Sequence, residues 1–462
     1  MENRFRQRLA DGRFVITIEI VTPSRDRELG QALAPALMLA SGVADDRRVA
    51  ALGVTDRVRS DDDHDPVRVA VALARASGTT PVVHLSGKDR CPETFDQALG
   101  GLAAAGIDNV LCVTGDRLKV PPVDRRVRYL DSVEAIAIAR RRSPGTLIGG
   151  GVSPFKYTEE ETRTQYAKMA RKQAAGAGYL ITQVGWDMPK LGELMRYRQL
   201  RGFTAPVLAN VMALPAGAAR RLHKGGVPGV VVTDDLLALV EYEAQAADRG
   251  RTPRFTRLAL QLVGAERLGY AGAQVSGLTI ADDVRRVLDL ADAWRHRAPT
   301  LALWWSAWDS CMRLPGGAPA RLGREAGYFL FDGRTPRGRA ARGAERRRYL
   351  ALSAVHHVVF DPRSPVFHAL RPIARRIAPG SAVARFLAAV ERAIKAPIVG
   401  CELCGACRLP DTFYVCPETC PKGLANGPCG GSTDNVCEAG DRECVHALVY
   451  RLARAAGRVD RL

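Results

Sequence analysis

The sequence predicts a closed parallel α/β barrel of eight strands, a (β/α)8 TIM barrel, followed by a mainly helical region and a small cysteine-rich metal-binding module. Three observations lead to this prediction. Eight short β-rich runs alternate with segments of helical periodicity over the first 300 residues. The first run is not followed by the glycine-rich fingerprint that an open, doubly wound sheet would favour. Eight of the eleven cysteines lie between Cys401 and Cys444.

The β-rich runs have the number and spacing that a closed barrel requires. Each of the first seven is followed by a segment with helical periodicity, such as 159–175, in which Tyr166, Met169 and Ala170 share one face. A further β-like stretch at 230–233 is interpreted as an extra turn or short strand between the last two runs. The predicted strands are 14–21, 51–55, 81–85, 109–114, 146–152, 178–184, 206–211 and 273–278.

The chain is long enough for several domains, and a boundary is expected near residue 300. After it, the sequence is mainly helical and contains three tryptophans close together, Trp304, Trp305 and Trp308. A helix at 385–395 leads into the cysteine-rich module. The predicted domains are the barrel at 1–300, a helical linker or accessory region at 301–398 and the cysteine-rich module at 399–462.

The chain is strongly basic, with a formal net charge of +18. Residues 301–400 hold 17 Lys and Arg against 6 Asp and Glu, so most of the excess lies there. The arginines are dispersed, without aromatic residues between them for base stacking, so we expect no nucleic-acid partner. An acidic partner protein or an anionic substrate is at least as consistent with this charge.

No apolar run reaches the length of a membrane span, and no apolar signal segment follows the first residues. We therefore expect a cytoplasmic protein without a membrane partner. A homo-oligomer or a hetero-complex is expected.

The clustered cysteines are the strongest local signal. In a reducing cytosol, eight thiols within 44 residues indicate metal ligands rather than disulfides. Eight thiolates can complete two four-coordinate sites, for which iron–sulfur clusters and zinc are competing assignments. A structural knuckle that only fastens the C-terminal region is the remaining alternative. The candidate ligands are Cys401, Cys404, Cys407, Cys416, Cys420, Cys429, Cys437 and Cys444.

In a barrel of this kind, the active site lies at the carboxyl ends of the strands. Glu19 stands near the end of the first run with apolar neighbours on both sides, so its pKa should be raised and suited to general acid catalysis. Each candidate also has a structural alternative: an ion pair for Glu19, a helix cap for Asp116, packing for Thr55 and His84, and a polar-layer amide for Gln183. Ser153 and Asn210 are further polar residues at strand ends.

Five short motifs, in order and at matching strand positions, resemble those of methylenetetrahydrofolate reductases. The resemblance covers residues 1–300. It is looser after the first strand, where Ile20-Val21-Thr22-Pro23 stands in place of the family's aromatic residue and two prolines, and after the fifth strand, where the family's tyrosine-proline pair is missing. The motifs are Glu19 within Ile-Glu-Ile, His84-Leu85, Gly115-Asp116, Ile181-Thr182-Gln183, and Lys172 within Ala-Arg-Lys-Gln-Ala-Ala-Gly-Ala.

The resemblance implies a flavoenzyme that reduces 5,10-methylenetetrahydrofolate to 5-methyltetrahydrofolate with FAD, with NAD(P)H as a candidate reductant. It implies that Glu19 protonates the folate to open its five-membered ring, that Asp116 tunes the flavin and stabilises the resulting cation, and that Gln183 binds the pterin. The implied flavin ligands are Thr55, His84, Gly115, Asp116 and Lys172, the last on the phosphates.

The cysteine-rich segment resembles the C-terminal domain attached to some bacterial methylenetetrahydrofolate reductases. That resemblance implies iron–sulfur clusters or zinc, and electron entry from a redox partner protein. The alternative function is a non-catalytic, metal-binding scaffold subunit of a redox or methyl-transfer complex. A basic zinc-ribbon protein that binds nucleic acid is a third interpretation.

Overall fold

The computed structural model describes residues 1–118, 129–324, 326–333, 337–405 and 407–462. Eight parallel strands close into a barrel in which each strand pairs with its sequence neighbours and β1 pairs with β8. This confirms the predicted fold class. The strands are β1 (Val15–Ile20), β2 (Val49–Val54), β3 (Val82–Ser86), β4 (Asn109–Val113), β5 (Leu147–Val152), β6 (Tyr179–Val184), β7 (Val207–Met212) and β8 (Gly272–Ser276).

Helices cover the outside of the barrel, and the connection from β7 to β8 carries three of them. The stretch at 230–233 in this connection forms no strand, because β7 already pairs with β6 and β8; Thr233 instead caps a helix. The barrel helices are α1 (Arg4–Ala10), α2 (Leu29–Gly42), α3 (Pro66–Ser77), α4 (Pro92–Ala104), α5 (Ser132–Arg142), α6 (Glu159–Ala174), α7 (Met188–Leu200), α8 (Ala216–His223), α9 (Asp234–Glu243), α10 (Arg251–Arg267) and α11 (Ala281–Arg297).

The barrel interior is apolar at one end and polar at the other. Val15, Val82, Leu111 and Leu208 form a buried floor near the amino ends of the strands, and Phe5 of α1 closes it from below. Nearer the carboxyl ends of the strands, the side chains that point into the barrel are polar. They are Thr17, Glu19, His84, Asn210, Gln274 and Ser276. The interior therefore gathers a network of hydrogen-bonding side chains at the end where ligands bind in barrel enzymes.

The hydrophobic core continues past residue 300 into α12 (Leu301–Cys311). Trp304 and Trp308 of this helix are buried, and the Trp304 indole donates a hydrogen bond to the Leu260 carbonyl at 2.8 Å. The predicted tryptophan cluster thus packs on α10 of the barrel, whereas the division of the chain into three domains stays a prediction.

The C-terminal third begins with three helices and ends with a loop-rich segment and one further helix. These helices are α13 (Gly343–Val359), α14 (Pro365–Arg375), α15 (Ala382–Val399) and α16 (Val445–Ala455). Helix α16 packs against α6 of the barrel, and its Tyr450 hydroxyl donates a hydrogen bond to Glu159 at 2.8 Å. Within the described ranges, no helix combines the length and apolarity needed to cross a membrane.

Gly264 of α10 is a position where the packing allows no side chain. A Cβ there would lie 2.1 Å from the Trp304 ring. We expect Gly264→Ala to lower the free energy of unfolding by about 1–3 kcal/mol through overpacking. Gly100→Ala in α4, where a Cβ meets nothing within 4 Å, is the matched control and should stabilise the protein by up to about 1 kcal/mol. Urea unfolding of both variants checks this; equal effects would contradict the described packing of α12.

Candidate active site at the barrel mouth

Glu19 lies at the polar end of the barrel interior. Its Oε2 accepts a hydrogen bond from Gln274 Nε2 of β8 at 2.7 Å. Burial raises the pKa of the Glu19 carboxyl, and hydrogen bonds from Ser276, Gln274 and Asn210 offset only part of that rise. The group is therefore a weaker acid than an ordinary glutamate and keeps its proton to higher pH, as the sequence predicted.

A hydrogen-bonded chain links Glu19 to His84 across the interior. The Gln274 amide donates to Glu19, so its Oε1 is the acceptor that faces His84 Nε2 at 3.3 Å. His84 must then carry its proton on Nε2, and burial lowers its pKa to about 4, so the ring is neutral near pH 7. The structure thus brings Glu19 and His84 into one network, with His84 as a buried neutral donor.

Sequence reasoning missed Gln274 and Ser276 of β8. Both point inward, since they alternate with the apolar Ala273 and Val275, which lie in the core between sheet and helices. Ser276 also donates a hydrogen bond to the Asn210 side chain at 3.0 Å. The signal was present in the alternation Ala-Gln-Val-Ser, in which two polar residues share the interior face of a strand.

The loops after β2 and β3 are fixed by ion pairs beside the mouth. The Asp56 carboxylate accepts hydrogen bonds from Ser86 N at 2.7 Å and from the Arg90 guanidinium. It also accepts a hydrogen bond from Arg57 Nε at 2.9 Å. Burial favours the neutral acid, but Arg90 and Arg57 outweigh it and lower the pKa of Asp56 to about 2. The predicted flavin ligand Thr55 is buried next to this network, and its hydroxyl accepts from Thr22 N at 3.3 Å.

Gly115 and Asp116 follow β4 and lie next to the cysteine-rich segment. Gly115 has φ +84°, and a Cβ there would lie 2.9 Å from the Ser86 side chain, so this close approach requires glycine. Its carbonyl accepts a hydrogen bond from Lys422 Nζ at 2.7 Å. Burial raises the pKa of Asp116, while the positive charge of Lys422 opposes that rise. A residue of the C-terminal segment therefore acts on the mouth directly.

Gln183 and Lys172 have different surroundings. Gln183 stands on β6, and its Nε2 donates to the Pro228 carbonyl at 3.4 Å. The Lys172 side chain is buried, its ammonium donates to the Gly151 carbonyl of β5, and burial lowers its pKa to about 7. Lys172 therefore contacts the barrel wall, and its predicted contact with flavin phosphates stays a prediction.

Residues 427–432 of the cysteine-rich segment lie over the end of β5 and the start of α6. Lys156 donates to the carbonyl of Gly430 at 2.7 Å and to that of Ser432. Lys168 pairs with Asp131 at 2.8 Å and donates to the Gly427 carbonyl at 3.1 Å. These buried lysines use backbone carbonyls of the C-terminal segment as partners, so this segment is an integral wall of the mouth.

The cysteines fall into two groups by their mutual electrostatic influence. Burial, followed by Cys401 and Cys404 among other neighbours, raises the pKa of Cys416 to about 11. Burial lowers the pKa of Lys395, but its hydrogen bond to Glu391 and the charges of Cys407 and Cys401 outweigh that effect. Burial, with contributions from Cys429, Cys420 and Cys437, likewise raises the pKa of Cys444. The groups are Cys401, Cys404, Cys407 and Cys416 in the first, and Cys420, Cys429, Cys437 and Cys444 in the second.

The two groups differ in accessibility. Cys404 and Cys407 are exposed, whereas Cys429 Sγ lies 3.4 Å from the buried Glu438 carboxylate, which pairs with Lys422 at 2.5 Å. Among the described residues, no three His, Cys, Asp or Glu side chains are already arranged to hold a metal ion. The donor chemistry and the grouping into fours fit thiolate-bound zinc or iron, and the metal itself stays a prediction.

The residues predicted to border the flavin ring and the residue predicted to hold its phosphates have different surroundings. Glu19, Asp116 and Gln183 are each partly exposed at the rim, on β1, after β4 and on β6. In contrast, Lys172, the predicted phosphate ligand, is engaged with β5. Ser153 Oγ and Gln165 Nε2 are buried polar atoms without a partner among the described residues, and both lie beside Gly430. Both atoms therefore have unused hydrogen-bonding capacity beneath the C-terminal segment.

Comparisons with known proteins identify two regions of the chain. The sequence model of a family described as methylenetetrahydrofolate reductase matches residues 4–242. A second model, described as the methylene-tetrahydrofolate reductase C terminal, matches residues 381–462. No curated protein matches the chain. Among solved structures, the chain is similar to an uncharacterised protein from Clostridium thermocellum that is described as binding two copies of 5-methyl-5,6,7,8-tetrahydrofolic acid. The two sequences are 13% identical, and the structures superpose with a TM-score of 0.47. The match covers 63% of this chain and 99% of the Clostridium thermocellum chain.

Proposed function

Because the chain belongs to the methylenetetrahydrofolate reductase family, we propose that it reduces 5,10-methylenetetrahydrofolate to 5-methyltetrahydrofolate with FAD at the barrel mouth. The observation that carries the proposal is the environment of Glu19. A partly exposed carboxyl with a raised pKa lies among three side-chain hydrogen-bond partners at the end of the barrel where ligands bind. A protein that used the barrel only as a scaffold would have no need of such a group.

Glu19 serves as the general acid. Its carboxyl proton passes to a nitrogen of the folate's five-membered ring, which opens and leaves a cationic one-carbon unit. The raised pKa keeps that proton in place to higher pH than in an ordinary glutamic acid. Gln274 holds the Glu19 carboxyl through Oε2, and His84, neutral and fixed by Gln274, keeps the amide in the required orientation.

Asp116 and Gln183 act on the bound molecules from the opposite part of the rim. Burial raises the pKa of Asp116 and Lys422 limits that rise. The carboxylate form of Asp116 is the form that stabilises the cationic one-carbon unit. Gln183 hydrogen-bonds the pterin. Thr55, His84, Gly115 and Asp116 border the flavin ring. The reduced flavin, when bound, supplies the hydride.

The cysteine-rich module binds iron–sulfur clusters or zinc through its two groups of four thiolates. Electrons reach the flavin either from NAD(P)H or, where the module holds iron–sulfur clusters, through the module from a redox partner protein, because zinc cannot carry electrons. The second group supports the latter route, because Cys429, Glu438, Lys422 and Gly115 form a chain of contacts to the flavin rim.

One observation favours the alternative of a metal-binding scaffold subunit. Residues 427–432 cover the end of β5, where the phosphates of a flavin would otherwise find Lys172. The purified protein distinguishes the two functions. A flavin spectrum and conversion of 5,10-methylenetetrahydrofolate by the reduced protein support the reductase, whereas a colourless protein that binds only metal supports the scaffold.

Substitution of Gln274 tests whether its hydrogen bond to Glu19 sets the pKa of the proposed general acid. Because its hydrogen bond lowers the pKa of Glu19, Gln274→Leu should raise that pKa further. If Glu19 must be protonated, activity falls as pH rises through its pKa, and the variant should lose activity at higher pH than the wild type. The pH profile of kcat checks this, with Gln199→Leu on the outer helix α7 as a control. An unshifted alkaline limb would contradict the assigned role.

A further inference from the structure

A cavity lies between α6 of the barrel and the C-terminal segment, away from the barrel mouth. Its volume is about 320 Å³, at the lower end of the range for pockets that bind small molecules. Its walls include Arg171 of α6, Arg408 and Asn426 of the cysteine-rich segment, and Arg461 of the short turn Val459–Arg461. Because Arg461 is exposed, the cavity can be reached from solvent. We call this cavity the arginine pocket.

The guanidinium groups of the arginine pocket have few hydrogen-bond partners. Arg408 Nη2 donates to Asn426 Oδ1 at 2.9 Å, and Arg171 Nη2 donates to the Arg461 carbonyl at 3.5 Å. Within the described residues, these are the hydrogen bonds that the three arginine side chains make, and neither acceptor is charged. A guanidinium group has five N–H donors, so most of the donors in the pocket are available to a ligand.

Acidic groups compensate the charge of the arginine pocket only in part. The carboxylate of Asp411 lies 3.9 Å from Arg408 and is 64% exposed, and that of Glu134 lies 3.8 Å from Arg408 and is 50% exposed. Both distances are too long for a hydrogen bond, and water screens both pairs. Burial and the charge of Arg408 lower the pKa of Arg171, and Asp131 and Asp411 offset only part of that effect. The pocket therefore has an excess of positive charge that a bound anion would balance.

The charges and donors of the pocket indicate which anion fits. Three arginines and one aspartate line it, which leaves two positive charges in excess. A phosphate monoester carries nearly two negative charges near pH 7 and has three acceptor oxygens, which suit the planar donor pairs of guanidinium groups. A carboxylate offers one charge and two oxygens. A nucleic-acid chain is disfavoured, because the exposed carboxylates of Asp411 and Glu134 would repel its further phosphates.

We propose that the arginine pocket binds a small phosphate monoester, with the phosphate group held by Arg171 and Arg408. Pro410 and Phe413 also line the pocket and supply an apolar wall for the organic part of the ligand. Such a ligand would join the barrel to the cysteine-rich segment, since Arg171 belongs to the first and Arg408 to the second. The proposal concerns a site outside the barrel mouth and holds whether or not the barrel reduces folate.

Isothermal titration calorimetry of the full chain at constant ionic strength tests the proposal. The probes are glycerol 3-phosphate, inorganic phosphate and the dicarboxylate glutarate. We expect glycerol 3-phosphate to saturate a single site per chain, inorganic phosphate to bind the same site more weakly, and glutarate to give no saturable binding. The proposal is overturned if glycerol 3-phosphate does not bind saturably, or if inorganic phosphate or glutarate binds at least as tightly.

Substitution of the two arginines then locates the site. Arg171→Gln and Arg408→Gln should each weaken binding of glycerol 3-phosphate by about 10-fold or more, as expected for lost hydrogen bonds to a charged group. Arg75→Gln, at an exposed position of α3, is the control and should bind like the wild type. Neither pocket arginine donates a hydrogen bond to a carboxylate, so the unfolding temperatures without ligand should match that of the wild type.

Thermal unfolding with glycerol 3-phosphate provides a second measurement. The ligand should raise the unfolding temperature of the wild type and of Arg75→Gln, because it binds only the folded chain, and should have little effect on Arg171→Gln and Arg408→Gln. Binding and thermal stabilisation that are equal in all four proteins would place the phosphate elsewhere and overturn the proposal.

Discussion

Glu19→Gln should lower kcat for 5,10-methylenetetrahydrofolate reduction by about 10²- to 10⁴-fold, the usual contribution of a general acid. The amide keeps the shape of the side chain and its contact with Gln274 but carries no acidic proton. Since burial disfavours the charged carboxylate, the neutral amide should not destabilise the barrel. Flavin content and thermal unfolding should therefore match the wild type, and the loss should appear in the step that consumes folate.

Glu241→Gln is the matched control, because Glu241 lies on the outer helix α9, with its side chain 40% exposed and paired with Arg220. It should alter kcat by less than about twofold, as expected for loss of a surface ion pair remote from the mouth. Unimpaired folate reduction by Glu19→Gln would remove Glu19 from the mechanism, and an equal loss in both variants would point to a general effect on the protein.

Cys444→Ser should remove one of the two proposed metal sites. Cys444 is the N-cap of α16, and it shares its group with Cys420, Cys429 and Cys437. With one metal centre in each group of four, metal content should fall by about half. The unfolding temperature of the C-terminal segment should drop by about 10 °C, because bound metal contributes folding free energy.

Cys91→Ser is the control for this experiment. Cys91 is an exposed N-cap residue of α4, outside the cysteine-rich module, and serine is a favourable N-cap. It should leave metal content and unfolding temperature unchanged. Metal content unaffected by Cys444→Ser would contradict the assignment of Cys444 as a ligand.

The barrel could be predicted because the patterns that specify its strands and helices lie within short segments of the sequence. Each strand is a short β-rich run and each outer helix a periodic segment, so eight repeats could be recognised without knowledge of any tertiary contact. The raised pKa of Glu19 was predictable for a related reason: isoleucines on both sides mark it as an inward residue near the end of a strand, where the barrel interior shields the carboxyl from water. Residues 230–233 were misleading because β propensity carries no information about whether a strand edge is available.

The contacts between the cysteine-rich segment and the mouth could not be predicted from local patterns. Lys422 reaches Gly115 across 307 residues, and Lys156 reaches Gly430 across 274. Lys172 matches the family motif in sequence, yet its surroundings depend on where β5 and residues 427–432 lie. Gln274 was not predicted as a site residue because its role depends on a hydrogen bond to Glu19, which lies on the first strand.

A single-turnover experiment tests whether the protein binds a flavin beside Glu19 at the barrel mouth and passes its electrons to the folate. The protein is loaded with FAD, photoreduced without oxygen and mixed with 5,10-methylenetetrahydrofolate while the flavin absorbance is followed. We expect reoxidation of the flavin with one 5-methyltetrahydrofolate formed per flavin. Failure of the protein to retain flavin, or a flavin that stays reduced with folate unchanged, would contradict it.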